Sequence, residues 1–302
     1  GARLAPLNNV PGPGRELVIG LDFGTSSTKV VLADPSLNVG YAVPLVEAVG
    51  VNSYLLPSAM METEDGFYTL SGQGHRHADL KLAMLENMTD ETACARVCAF
   101  LALVIRSARA WLYETKSDQY LRADILWTLA LGQPANPGDS ERFRVHFEQL
   151  AKVAWALASE AGAIRVEVAQ RTWSHREQLD LGDELEVRAM AELTAQIHGF
   201  VSSSQFDARQ PNIYLMVDVG AGTVDASLFR VRKDAGGVVS FALFTHSVEL
   251  LGAANFNRYR VGWWQSELSN AAQKLSSQDA RRARLALAVK DRMERLKLPT
   301  EY

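Results

Sequence analysis

Cysteine is scarce in this chain: only Cys94 and Cys98 occur, four residues apart in an apolar helical pattern that puts both side chains on one face. Neither a disulfide framework nor a four-ligand zinc site can be built from them, so they read as core residues of a protein from a reducing compartment, with the cytoplasm as the expected location. Long hydrophobic runs are also missing. The stretch Ala99 to Ile105 is bounded by Arg96 and Arg106 and falls far short of the roughly 18 to 20 residues that cross a bilayer. Basic runs are absent too: 31 Lys and Arg stand against 35 Asp and Glu, a net charge of -4, which gives no counterion-releasing surface for nucleic acid. The opening residues 1–14 lack the pattern of a signal peptide; with several Pro and Gly they read as a disordered lead-in.

What is present suits a globular protein of about two domains or lobes: 302 residues, 47% hydrophobic and 22% charged. Leu17 to Leu21 ends at Asp22, the turn Gly24-Thr25-Ser26-Ser27 follows, and Val30 to Ala33 returns, which predicts a β-hairpin with a flexible tip rich in backbone donors. Further strands are expected between Val39 and Val49, over Tyr54 to Met60, and over Phe67 to Leu70 after an Asp65-Gly66 turn. Helical periodicity begins near Ala78. The clearest helix runs through Cys94, Val97, Cys98, Leu101, Val104, Ile105, Ala108, Trp111 and Leu112, capped by Thr89 or Asp90. A strand at Asp124 to Leu131, a loop over Gly132 to Asp139 and a helix from Ser140 come next; then a short strand at Ile164 to Ala169 and a helix over Glu186 to Ser203. After the Pro211-Asn212 loop, Ile213 to Val217 reads as a strand buried on both faces, ending at Asp218.

From Asp218 the opening figure repeats: turn Gly220-Ala221-Gly222-Thr223, strand Val224 to Val231, turn Gly236-Gly237, and a strand from Val238 to about Val248. Residues Ala253 to Lys297 then read as helical. Two copies of strand, Asp, glycine turn and strand, 196 positions apart from Asp22 to Asp218, imply two similar lobes facing each other across a cleft. The backbone N–H groups of such turns wrap phosphate oxygens, and an aspartate at the preceding strand end can hold a hydrated divalent ion. Mg²⁺ with a phosphate chain is the expected ligand.

The residues Ile19-Gly20-Leu21-Asp22-Phe23-Gly24-Thr25-Ser26-Ser27-Thr28-Lys29-Val30 and Val217-Asp218-Val219-Gly220-Ala221-Gly222-Thr223-Val224-Asp225 resemble the two phosphate motifs of the ATPase superfamily shared by actin, heat-shock protein 70 chaperones and sugar kinases. The second motif is most similar to the chaperone and actin branches. Three further segments resemble the chaperone branch: Ala191-Glu192-Leu193-Thr194-Ala195, Lys81 within Leu80-Lys81-Leu82, and Leu250-Leu251-Gly252-Ala253-Ala254-Asn255-Phe256-Asn257. The resemblance implies an α/β, actin-like ATPase fold with two ribonuclease H-like cores around a nucleotide cleft: a first lobe over 15–210, with an outer subdomain at 46–121, and a second lobe over 211–302 cut short at its outer subdomain. It also implies ATP or ADP with Mg²⁺ as ligands. Asp22 and Asp218 would bind Mg²⁺ through water, and Gly24, Thr25, Ser26, Ser27, Gly220, Ala221, Gly222 and Thr223 would surround the phosphates. Lys81 would orient the attacking water, while Glu192, Asp218 and Asp225 complete the catalytic network.

The sequence departs from the family at Ala221, where a glycine is expected, at Leu193 in place of proline, and in having no Gly-Gly-x-x-Arg stretch for adenosine. The second lobe thus reads as incomplete, whether as a fragment of a longer protein, through missing segments or because a partner completes the lobe, and an excised nucleotide-binding domain is the natural description. A slow ATPase that switches its affinity for a protein partner or client is the leading expectation; an actin-like assembly ATPase, a pseudo-ATPase scaffold and a small-molecule kinase are the alternatives. The spacing of His75 and His77 suits chelation on a strand, but nothing nearby completes a metal site, so an exposed loop is expected. Trp263-Trp264 reads as a partner patch or a surface bared by truncation, and Arg281 to Arg284 as a solvated face.

Overall fold

The computed structural model describes residues 14–134, 140–182, 185–207, 213–233, 239–249, 251–275 and 279–295. The chain divides into two compact units, Gly1–Phe206 and Asp207–Tyr302. The Gly236-Gly237 turn, the Pro211-Asn212 loop, most of the lead-in and the greater part of the loop before Ser140 fall outside the described residues.

The first unit is built on a mixed sheet. Strands β1 (Gly14–Phe23), β2 (Ser27–Asp34) and β3 (Val39–Ala42) form an antiparallel meander, to which β4 (Leu56–Pro57) adds on β2. A small separate sheet contains β5 (Met60–Glu62), β6 (Phe67–Thr69), β7 (His75–His77) and β9 (Ile164–Arg165), in the order β7-β5-β6-β9. Helices α1 (Leu80–Glu86), α2 (Glu91–Thr115) and α3 (Ser117–Tyr120) precede β8 (Asp124–Gln133). Helices α4 (Ser140–Ser159) and α5 (Val166–Ser174) lead on to β10 (Leu185–Ala191) and α6 (Glu192–Val201). The main sheet runs β10-β8-β1-β2-β3, with β8 and β10 parallel to β1 and β2 antiparallel to it. That order and those directions are those of a ribonuclease H-like core. The protein is therefore α/β, as the motifs imply.

Period-2 patterning decides which face is covered. Leu17, Ile19, Leu21 and Phe23 of β1 and Trp127, Leu129 and Leu131 of β8 are buried on one face. Against it lie α2, through Phe100 on Phe23 with ring centroids 5.8 Å apart, and α4, through Trp155 on Trp127 at the same separation. Helix α2 is buried along most of its length, Cys94 and Cys98 included, and Asp90 caps it by accepting hydrogen bonds from the N–H groups of Thr92 and Ala93 at 2.9 and 3.1 Å.

Two expected elements are different. The segment over Glu186 to Ser203 is not one helix: Leu185, Val187 and Ala189 pack on the core while Glu186 and Arg188 face outward as an ion pair at 2.8 Å, so an alternating strand adds to β8 before the helix begins at Glu192. Glu, Arg, Ala and Met favour helices, and sheet pairing overrides that preference. Ile164 to Ala169 is a strand only at Ile164–Arg165; from Val166 it is α5, which buries Ala169 and Trp173 one helical turn apart. Nor do His75 and His77 lie in a loop. They stand on β7, where His77 Nε2 meets Glu62 Oε2 at 2.7 Å.

Asp34, at the end of β2, is fully buried and accepts hydrogen bonds from Arg15, Ser36, the Leu37 N–H and Tyr120. Burial alone would raise its pKa, but these bonds and the Arg15 charge outweigh it and hold the carboxyl below its ordinary value of 3.8. A depressed carboxylate contributes stability above its unfolded pKa and loses it as pH falls through the folded value. Asp34→Ala is expected to cost about 2–4 kcal/mol at neutral pH, because it strands three donors and a guanidinium, and the difference should shrink in acid below the ordinary value. Urea unfolding of both proteins at pH 7 and pH 3 checks this.

The second unit holds an antiparallel meander of β11 (Ile213–Val219), β12 (Val224–Lys233) and β13 (Val239–Glu249), followed by α7 (Ala253–Leu275) and α8 (Ala280–Arg295), which pack on each other. It repeats the β1-β2-β3 figure. Expected burial of β11 on both faces is not found: Ile213, Leu215, Val217 and Val219 are all more than half exposed. An unbroken apolar run fits any strand with one apolar and one mixed face, and β11 is an edge strand of this sheet. Arg281, Arg282 and Arg284 are exposed, as a solvated face requires.

Candidate functional site

In the first unit, β1 and β2 are joined by a tight turn in which the Gly24 N–H donates to Ser27 O at 3.1 Å. A Cβ on Gly24 would sit 2.6 Å from that same oxygen, so no other residue closes the turn without displacing backbone. The tip is held rather than flexible. Ser58, next to β4, donates its hydroxyl to Gly24 O at 2.7 Å, shares a 2.9 Å hydrogen bond with buried Thr28, and donates its N–H to Ser26 O at 2.9 Å. These bonds fix Gly24, Thr25, Ser26 and Ser27 as a preformed arc.

Asp22 precedes the turn and lies directly across the hairpin from Lys29, whose Nζ donates to Asp22 Oδ2 at 2.6 Å with both side chains about half exposed. Lys29 is a cation beside the turn that reading the motif alone does not single out. Its signal was register: seven residues after Asp22, it falls opposite it once the turn is placed.

Two residues distant in sequence meet at the same edge of the sheet. Lys81, second residue of α1, is buried, and its Nζ donates to Glu192 Oε1 at 2.6 Å, 111 positions away. Asp79, in the left-handed region at φ 54°, sets the start of α1, and the Lys81 ammonium lies 6.0 Å from the centre of the Phe23 ring. Glu192 opens α6 immediately after β10. Gly132 of β8 makes room for it, since a Cβ there would stand 3.3 Å from Glu192 Cγ and 3.5 Å from Leu21 O. Asp22, Lys81 and Glu192 are thus all carried at the carboxyl end of the parallel strands, where α/β sheets place their ligands. Gln133, the last residue of β8, joins them: it is buried beside this edge with its Oε1 lacking a hydrogen-bond partner. A polar residue ending an apolar strand was the available sign.

The second unit builds the same turn. The Gly220 N–H donates to Thr223 O at 2.9 Å, matching the bond from Gly24 to Ser27. Gly252 lies against it so closely that a Cβ would be 2.4 Å from Ala221 O, and the N–H groups of Gly252 and Ala253 donate to Gly222 O and Gly220 O at 3.3 and 2.9 Å. The segment singled out around Gly252 therefore docks on the turn and aims the N-terminus of α7 at it. Ala221 is not among the described residues with positive φ, so its methyl imposes no backbone strain.

Where Lys29 faces Asp22 in the first hairpin, the second sets a carboxylate against a carboxylate: Asp218 and Asp225 are directly opposed across the strands. Thr223 Oγ1 donates to Asp225 Oδ2 at 2.9 Å. Like charges at such a position destabilise a hairpin by themselves. Oxygen donors in this arrangement suit Mg²⁺, which takes one or two carboxylates and completes its shell with water and phosphate. Among the described residues there is no cluster of three or more His, Cys, Asp or Glu able to hold a metal alone.

Comparison with protein-family models and with curated proteins gives no match. Among solved structures, the chain is similar to MreB 5 of Spiroplasma citri bound to AMPPNP, at 13% identity and a TM-score of 0.36, over 88% of this chain and 58% of that one. No described helix is long and apolar enough to cross a membrane.

Proposed function

We propose that the chain is the nucleotide-binding part of an actin-like ATPase, taking the phosphates of Mg²⁺-ATP at its glycine turns and hydrolysing ATP slowly to ADP and phosphate. The observation that carries this reading is the duplicated turn, closed by the same hydrogen bond in each unit and preceded each time by a strand-end aspartate. Phosphoryl transfer asks a protein chiefly for positioning and charge neutralisation. Gly24 to Ser27 in the first unit and Gly220 to Thr223 in the second each offer backbone donors to phosphate oxygens, the aspartates beside each turn (Asp22; Asp218 and Asp225) offer oxygens to a hydrated ion, and Lys81, kept in place by Glu192, orients the attacking water. Mg²⁺, when bound, would neutralise charge on the phosphates.

In this reading nucleotide state sets the affinity for a protein partner, as in the chaperone branch that the motifs resemble. A second reading, nucleotide-controlled self-assembly, is favoured by one feature of the second unit: Phe256, Tyr259, Trp263 and Trp264 of α7 are all exposed, and the two tryptophan rings lie 4.8 Å apart. Phosphate release and sedimentation measured in one sample separate the outcomes. ATP-dependent phosphate release without pelleting supports the switch, release with pelleting supports assembly, and no Mg²⁺-dependent release contradicts the ATPase.

A further inference from the structure

The first unit also carries a groove of about 910 Å³ that shares no residue with the glycine turns or with Lys81 and Glu192. It opens between the first turns of α2 and α4 and the short 3₁₀ turn Arg176–Gln178 after α5, and its walls include Glu91, Glu141, Arg142, His146, Trp173 and Arg176.

Two arginines and two glutamates line this groove, and they are not paired with one another. Both oxygens of Glu141 are taken by the guanidinium of Arg144, at 2.6 and 2.9 Å. Among the described residues neither Arg142 nor Arg176 has a carboxylate within ion-pair distance. Arg176 lies 4.5 Å from the centre of the Trp173 ring and donates Nη1 to Trp173 O at 3.1 Å, while its Nε is sealed from water with no acceptor. A buried donor without a partner is costly, and while Glu141 is engaged by Arg144, the guanidinium groups of Arg142 and Arg176 line the concave site without a counter-ion of their own among the described residues.

We propose that this groove binds a small oxyanion, a carboxylate or a phosphate ester, on Arg142 and Arg176. The guanidinium fork matches both groups, donating to two oxygens at once. Glu91 remains as an acceptor for a hydroxyl or amine on the same ligand, which favours a polyfunctional metabolite over a bare ion. The volume is that of an ordinary small-molecule site.

His146 reports on the site. Its ring stands 5.6 Å from that of Trp173 of α5, with Nε2 3.8 Å from Cys94 Sγ of α2. Burial first, then the charges of Arg176 and of Arg142 on its own helix, push the imidazole down to about 4, so it is neutral at pH 7. Glu91 is the carboxylate of α2 that shares the groove. An anion on the two arginines offsets their field and raises the His146 pKa.

The test titrates the full chain with citrate and with inorganic phosphate at constant ionic strength, by calorimetry and by following the His146 ring protons by NMR across pH. Saturable binding with a rise in the His146 pKa is expected, weakened about tenfold or more by Arg142→Gln, an exposed change that spares the fold, and by Arg176→Gln. The anion-dependent shift read at His146 should be the same in Asp218→Asn, which separates this groove from the nucleotide reading. Preference for citrate identifies the ligand class as carboxylates, and preference for phosphate identifies phosphate esters. Failure of both anions to saturate, or binding undiminished in Arg142→Gln, overturns the proposal.

Discussion

Replacing Asp218 by asparagine should weaken Mg²⁺-ATP binding by tenfold or more, an effect of about 1.4 kcal/mol, while leaving the protein as stable as before or slightly more stable. The two effects have opposite signs for one reason. Asp218 lies directly across the hairpin from Asp225, and like charges in this position oppose each other by about 0.2–1 kcal/mol. Asparagine keeps the shape and one acceptor oxygen but removes the repulsion and one of the carboxylates offered to Mg²⁺. A residue that merely ended a strand would show neither the loss of affinity nor the gain in stability. Calorimetric titration beside urea unfolding reads both quantities on the same two proteins. If affinity is unchanged, Asp218 has no part in holding the metal.

Lys81→Met should act on turnover and scarcely on nucleotide affinity. Methionine replaces the aliphatic stem, so packing against Phe23 is largely kept, and the lost partner of Glu192 costs about 1–2 kcal/mol because Lys81 is buried while Glu192 stays in part exposed. Phosphate release should fall by about 10²–10³-fold if the ammonium stabilises charge at the reacting water. Glu192→Gln tells a reacting group from a supporting one: it retains a hydrogen-bond acceptor for Lys81 and should lose less activity than Lys81→Met. A purely structural ion pair would give the reverse pattern, with matching stability losses in both variants and turnover per folded molecule unchanged.

Local chemistry explains which parts of this site were legible. Asp22 and Asp218, each closing an apolar run before a glycine turn, were visible because the pattern lies within a dozen residues and recurs. The long helix α2 was visible for the same reason. Lys81 and Glu192 were indicated only by resemblance; their meeting depends on a strand, β10, that helix-forming residues disguise, and on the space left by Gly132. What sequence alone withheld was contact across distance. Ser58 bracing the first turn, Gly252 packed against the second, and Gln133 buried at the strand edge each depend on elements brought together by the fold. The exposed face of β11 was misread because an apolar strand has the same composition whether one face or two are covered.

The central claim is that the glycine turns bind a magnesium nucleotide, and the most direct measurement is calorimetric titration of the unaltered chain with ATP, once in excess Mg²⁺ and once in EDTA. One saturable site in Mg²⁺ that weakens tenfold or more on chelation is the predicted result. The same affinity with and without the metal would contradict the role given to the aspartates, and no binding in either condition would contradict the claim itself.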